Sequence, residues 1–135
     1  MKYLLDTCTI SDFYNGCKKT ARRIKYLASN DIAVSIITVA EVEYGIVRIK
    51  GSKKAEEIAK FSEELFSKIE VISLDYVMAK TIGNIKNELI RNGEMIGAYD
   101  LLIGATAKYY DLILVTSNVS EFVRIEGLRI ENWRK

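Results

Sequence analysis

The sequence predicts an α/β fold, with a short parallel sheet of about five strands and helices on both of its faces. Two observations lead to this prediction. Short apolar runs, typical of strands buried on both faces, alternate with amphipathic segments that have helical spacing. No repeat, linker or low-complexity tract interrupts the alternation, and 135 residues are enough to bury one core. We therefore expect residues 1–135 to form a single domain.

Each predicted strand is a short apolar run bounded by polar or charged residues. β-branched residues dominate the second run, and the fourth is the most strand-like run in the chain. The predicted strands cover residues 3–5, 32–37, 70–74, 112–115 and 128–130.

The segments between the strands carry apolar residues three and four positions apart, which places them on one face of a helix. Thr38 and Asp75 are plausible N-caps, and Asn92-Gly93 is a strong stop signal. Gly104 is small enough for close packing of the helix that contains it. The predicted helices cover residues 19–29, 39–49, 55–69, 77–90 and 98–110, and residues 9–15 form a turn or short helix.

The composition excludes several kinds of chemistry. The chain has no histidine, which rules out Ser-His-Asp and Cys-His mechanisms and disfavours a catalytic zinc site. Its two cysteines, Cys8 and Cys17, have the spacing of neither a zinc knuckle nor a redox pair. Chemistry must therefore come from carboxylates, hydroxyls, amines or a hard metal ion.

Charge and hydropathy leave the partner open. The net charge of +2 is too small to establish a nucleic-acid partner, although segregated charges could create a basic face. The densest basic run is either a set of phosphate contacts or a solvated helix face, and it comprises Lys18, Lys19, Arg22, Arg23 and Lys25. Neither an export signal nor an apolar run of about 20 residues is present, which predicts a cytoplasmic protein.

Acidic and polar residues follow the predicted strands. Asp6 and Glu41 come after the first and second strands, and the stretch 116–121 comes after the fourth. Asp100 begins a helix that runs antiparallel to the fourth strand, so it reaches the same edge of the sheet. Such an all-oxygen site suits Mg²⁺ or Mn²⁺ and the attack of water on a phosphodiester. For any single acid, the pattern alone favours an ordinary helix cap or first-turn residue over a metal ligand.

Five stretches of the sequence resemble motifs of one protein family. Leu-Leu-Asp-Thr at 4–7 and the stretches at 35–45, 97–107 and 115–122 resemble the motifs of PIN domains, and 125–133 resembles the VapC-type toxins in particular. The resemblance implies a PIN-like sheet with strand order 3-2-1-4-5. It also implies a Mg²⁺- or Mn²⁺-dependent endoribonuclease, the toxin of a type II toxin–antitoxin pair. Such a toxin acts on RNA, is inhibited by a VapB-like antitoxin and is usually a homodimer.

The resemblance also assigns site residues. Asp6, Glu41 and Asp100 match the family's acidic metal-binding residues. A fourth acidic position is common near residue 116, and here Asn118 occupies it, with Glu121 three residues on. We therefore expect Asn118 as a metal ligand and Glu121 among the catalytic residues.

The side chains of three hydroxyl residues each have two interpretations. Thr7, Thr116 and Ser117 either orient the carboxylates or a metal-bound water, or bond the backbone at strand ends. Cys8 stands where many family members have Asn.

Three other functions compete with the toxin interpretation. Within the same fold, the chain could be an RNA-processing nuclease without an antitoxin, or a PIN-like binding module that has lost catalysis. A phosphoacceptor signalling domain also has an acidic sheet edge. It needs an acidic pair after the first strand and a lysine after the last, and neither is apparent.

Overall fold

The computed structural model describes residues 1–135, which fold around one five-stranded sheet. The strands are β1 Tyr3–Leu5, β2 Ile32–Ser35, β3 Glu70–Ile72, β4 Ile113–Val115 and β5 Ile130–Glu131. Their order in the sheet is β3-β2-β1-β4-β5, and every strand pair is parallel. The predicted fold class and strand order are therefore confirmed.

Seven α-helices cover the two faces of this sheet. They are α1 Thr7–Tyr14, α2 Lys18–Tyr26, α3 Ile36–Arg48, α4 Lys53–Lys68, α5 Ala79–Arg91, α6 Ala98–Tyr109 and α7 Val119–Phe122. Because successive strand residues point to opposite faces, Leu4 joins the core beneath α5, α6 and α7, and Leu5 joins the core beneath α1 to α4. No helix combines the length and apolar character needed to cross a membrane.

The start of α3 differs from its prediction. Strand β2 ends at Ser35, whose Oγ accepts a hydrogen bond from the backbone N–H of Ile37 at 3.0 Å and caps the helix. Thr38, the predicted cap, is fully buried inside α3. The apolar run continues through Ile36 and Ile37, so the sequence pattern does not reveal where the helix begins. The Ser35 hydroxyl sets that position by capping the helix. Glu41 consequently lies in the second turn of α3.

Two other signals in the sequence are confirmed. Asp75 Oδ1 accepts a hydrogen bond from the Met78 N–H at 3.2 Å, in a 3₁₀ turn that leads into α5. At the far end of α5, Gly93 has a φ of +66°, the left-handed conformation that ends helices. Helix α7 is absent from the predicted elements because four residues are too few to display a helical period.

Gly104 determines how closely α6 approaches the α7 region. A Cβ atom at this position would overlap Cδ1 of Ile125 and lie 3.5 Å from the ring of Phe122. Both neighbours are buried, at 3% and 0% exposure. The predicted close packing at Gly104 is therefore confirmed, and it holds the helix whose first turn carries Asp100.

Gly104→Val is expected to destabilise the protein by about 2 kcal/mol, because a branched side chain overpacks this contact. The matched control is Gly83→Ala in α5, where nothing lies within 4 Å of an added Cβ. Removing a mid-helix glycine there should raise stability by about 0.5–1 kcal/mol. Urea unfolding measures both changes, and wild-type stability of Gly104→Val would contradict the packing.

Candidate active site

Asp6 is fixed at the end of β1 by its neighbours. Its Oδ1 accepts the N–H of Thr7 at 2.8 Å and caps α1, and its Oδ2 accepts the hydroxyl of Thr116 at 2.8 Å. Because β1 and β4 pair in parallel, Asp6 and Thr116 both lie just beyond the strand ends. Only 6% of Asp6 and 1% of Thr116 is exposed. The Asp6 carboxylate is therefore held rigidly at the carboxyl edge of the sheet.

Glu41 approaches the same edge from α3. The hydroxyl of Thr7 donates a hydrogen bond to Glu41 Oε1 at 2.6 Å, and the same hydroxyl lies 3.5 Å from that of Thr38. This contact joins the first turn of α1 to the second turn of α3. Thr7 thus contacts Asp6 through its backbone and Glu41 through its side chain.

Glu121 and Asn118 meet at the start of α7. Asn118 donates its side-chain amide to Glu121 Oε2 at 2.7 Å, and the Gly97 N–H donates to Glu121 Oε1 at 2.9 Å. A Cβ on Gly97 would lie 3.7 Å from Asp100 Oδ2 and 3.9 Å from Glu121 Oε1, so these two carboxyl groups flank the same point. Gly97 is not among the predicted site residues, because it contributes a backbone N–H that its residue type does not reveal.

The charges of the other three acidic residues act on Asp100. The pKa of Asp100 is raised to about 7, mainly by burial and then by the negative charges of Asp6, Glu121 and Glu41. The pKa of Glu121 is lowered, because Asn118 and the Gly97 N–H donate to its carboxylate. The predicted convergence of acidic residues at one sheet edge is thus present. A cation at this edge would relieve the repulsion that Asp100 experiences.

Cys8 and Ser117 occupy the rim of this network. Cys8 Sγ lies 3.5 Å from Asp6 Oδ2 and 3.6 Å from the hydroxyl oxygen of Thr116. Ser117 donates only its backbone N–H, to Cys8 Sγ at 3.4 Å, and its hydroxyl makes no hydrogen bond. No hydrogen bond of the Ser117 side chain supports its predicted role, which stays a prediction.

The acidic residues converge without forming a chelate. No three Asp, Glu or Cys side chains lie close enough together to hold a metal ion between them. Glu41 is turned toward Thr7, and Glu121 toward Asn118 and Gly97. In this arrangement the hydrogen bonds of Glu41 and Glu121 direct their carboxylates to protein groups.

The family follows from comparison with known proteins. A model of the PIN domain matches residues 3–128, a span that contains all four acidic residues. The chain belongs to the PIN-domain family. This PIN domain is also similar along its whole length to curated ribonucleases. It is 34% identical over 143 residues to "Ribonuclease VapC2" of Rickettsia felis, with both chains fully covered. It is 34% identical over 133 residues to "tRNA(fMet)-specific endonuclease VapC" of Salmonella typhimurium, with 98% of each covered.

Solved structures agree with this assignment. The PIN domain superposes on a chain of VapBC2 from Rickettsia felis, bound to a promoter DNA fragment, with a TM-score of 0.87 and 34% identity. That match covers 98% of this chain and 99% of the other. DNA-bound VapBC from Salmonella typhimurium gives a TM-score of 0.86 at 35% identity, with 98% of each chain covered. The resemblance to VapC proteins therefore extends from sequence to fold.

Asp100→Asn is expected to stabilise the PIN domain in EDTA at neutral and alkaline pH. The pKa of Asp100 is raised from 3.8 to about 7 by folding, so between these values the folded state binds a proton that the unfolded state lacks. The contribution of Asp100 to wild-type stability therefore falls as pH rises through this window, and asparagine removes this loss. The melting temperature of the variant should match wild type at pH 4 and exceed it by several degrees at pH 8. An equal difference at both pH values would contradict the shift.

Proposed function

We propose that this PIN domain is an endoribonuclease and the toxin of a type II toxin–antitoxin pair. The observation that carries the proposal is the convergence of Asp6, Glu41, Asp100 and Glu121 at one sheet edge, in a chain similar over its full length to VapC ribonucleases. Residues 1–135 act as a single nuclease domain in the cytoplasm, where RNA is available.

The proposed cofactor is a divalent cation, Mg²⁺ or Mn²⁺. Carboxylate and amide oxygens are the donors that these hard ions prefer. Burial and then the negative charges of Asp6, Glu121 and Glu41 raise the pKa of Asp100, and a cation would offset those charges. Asp6, Glu41 and Asp100 would hold the ion, with the Asn118 oxygen as a further ligand. When bound, the ion supplies an activated water and neutralises charge on the phosphodiester.

The other proposed roles at this site belong to individual side chains of the protein. Asp6 is a preorganised anchor, because two hydrogen bonds and burial fix its carboxylate. Thr7 and Thr116 position Glu41 and Asp6 respectively. Glu121 is held ionised by hydrogen bonds from Asn118 and the Gly97 N–H, and it is proposed to orient the attacking water through its carboxylate.

The proposed partners are RNA and a VapB-like antitoxin, with a second copy of the chain forming a homodimer. Two of the structural neighbours are VapBC complexes bound to DNA. The Salmonella typhimurium relative is named for cleavage of tRNA(fMet), which makes tRNA the first substrate class to test here.

The test incubates the purified chain with bulk tRNA and either Mg²⁺ or Mn²⁺. We expect discrete cleavage products, and we expect the small protein encoded beside this chain to suppress them. Cleavage without such a neighbouring protein would favour an RNA-processing nuclease. A folded chain that binds Mn²⁺ and cuts no cellular RNA would contradict the proposal and favour a binding module without catalysis.

A further inference from the structure

A concave basic pocket lies between α2 and the last residues of the chain, with a volume of about 390 Å³. Its walls include one buried aromatic residue, Trp133, and one acid, Glu131. Its four cationic side chains all belong to exposed residues, and they are Lys19, Arg22, Arg23 and Lys135. None of these residues belongs to the acidic site.

Arg23 is held in place within this basic pocket. Its Nη2 donates to Glu131 Oε1 at 2.8 Å, and its guanidinium carbon lies 5.0 Å from the centroid of the Trp133 ring. Trp133 Nε1 donates to the same Glu131 oxygen at 3.0 Å, and its ring packs edge-on against Tyr3. A guanidinium fixed in this way still has N–H donors that can face an anion, in the planar geometry that suits phosphate.

The other cations of the basic pocket are not neutralised. Lys19, Arg22 and Lys135 take part in none of the four ion pairs of the structure. On an ordinary solvated helix face, none of the cationic side chains would be held in position. Here the unpaired cations surround an arginine that a buried tryptophan and a carboxylate hold in position.

The basic pocket lies at the same edge of the sheet as the carboxylates. The Thr116 N–H donates to the Glu131 backbone oxygen at 3.0 Å, and the Thr116 hydroxyl donates to Asp6. Glu131 is therefore separated from Asp6 by two strand spacings, roughly 10 Å.

The segment that carries Trp133 is also attached to α1. Arg134 donates to both carboxylate oxygens of Asp12, at 2.6 and 2.8 Å.

We propose that the basic pocket binds phosphates of the RNA backbone outside the cleavage site, an inference that rests on the proposed nuclease function. A cluster of carboxylates repels RNA, and the net charge of the whole chain is only +2. Affinity for RNA therefore has to come from locally segregated positive charge. This pocket supplies such charge on the edge along which a substrate must lie.

The test variant is Lys19→Ala/Arg22→Ala. Each lost phosphate contact should reduce the slope of log affinity against log salt by about 0.7–0.9, the range between single strands and a duplex. We therefore expect a slope reduced by roughly 1.4–1.8 and a KM for bulk tRNA raised about tenfold near 0.1 M salt. The value of kcat should not change. Cleavage of a short oligonucleotide, a dinucleotide whose only phosphate lies in the cleavage site, should not change either.

The matched control is Lys80→Ala/Lys86→Ala, which removes the same charge from exposed positions of α5, a helix that packs on the opposite face of the sheet. This control should leave both the KM and the salt slope at wild-type values. Measuring tRNA binding by anisotropy in EDTA gives a readout that does not depend on cleavage. Failure of the wild type to cut RNA would therefore count against the nuclease proposal and would leave this binding test intact.

Three results would overturn the basic pocket as an RNA site. The test and control variants could bind tRNA equally well. The KM could rise by the same factor for the short oligonucleotide. Finally, the test variant could lose inhibition by the antitoxin while its salt slope for RNA stays at the wild-type value, which would make the pocket an antitoxin contact.

Discussion

Asp100→Asn is expected to lower kcat for RNA cleavage by about 10³-fold, equivalent to about 4 kcal/mol of transition-state stabilisation. Asp100 is the carboxyl group on which burial and the charges of Asp6, Glu121 and Glu41 all act. Replacing it with a neutral amide of the same shape removes the negative charge that a divalent ion needs at this point. Single-turnover cleavage of tRNA with saturating Mn²⁺ measures the effect.

The fold of this variant is not at risk, because the substitution removes repulsion and should raise stability in EDTA. Loss of activity together with higher stability would show that the substitution impairs catalysis and not folding. The matched control is Glu43→Gln, an exposed acid on α3 that is two positions from Glu41 and so does not face it. Glu43→Gln should retain wild-type activity. Wild-type cleavage by Asp100→Asn would refute the assignment of Asp100.

Removal of divalent ions by EDTA is expected to reduce cleavage to background. The chain has no histidine, so the Ser-His-Asp and Cys-His mechanisms offer no replacement for an ion-activated water. Mg²⁺ or Mn²⁺ added back in excess should restore cleavage, and the ratio of the two rates identifies the better cofactor. Undiminished cleavage in EDTA would contradict the metal-dependent mechanism.

The sequence predicts the sheet well because each strand is a short apolar run ended by a polar residue. Parallel strands with buried faces leave little freedom in where such runs lie, so the arrival of Asp6 and Glu41 at one edge follows from their positions after β1 and β2. Asp100 could be placed as well, because a helix antiparallel to β4 must begin at that edge.

Other features could not be predicted because they depend on single hydrogen bonds or distant contacts. The Ser35 hydroxyl starts α3 inside a continuous apolar run, and the Gly97 N–H that binds Glu121 comes from the backbone. The contact of Arg23 with Glu131 joins residues 108 positions apart. The sequence therefore left the basic run of α2 open between phosphate contacts and a solvated helix face, and only the fold places it beside the end of β5.

The most direct test of the carboxylate site is a parallel titration with Mn²⁺, in which bound ion is measured by electron paramagnetic resonance and tRNA cleavage is measured in the same samples. We expect cleavage to rise with occupancy at a common midpoint in the wild type. In Asp100→Asn, we expect weaker binding and no cleavage at occupancies that support wild-type activity. Full Mn²⁺ occupancy of the wild-type carboxylates without RNA cleavage, or cleavage at Mn²⁺ concentrations too low for binding, would contradict the account.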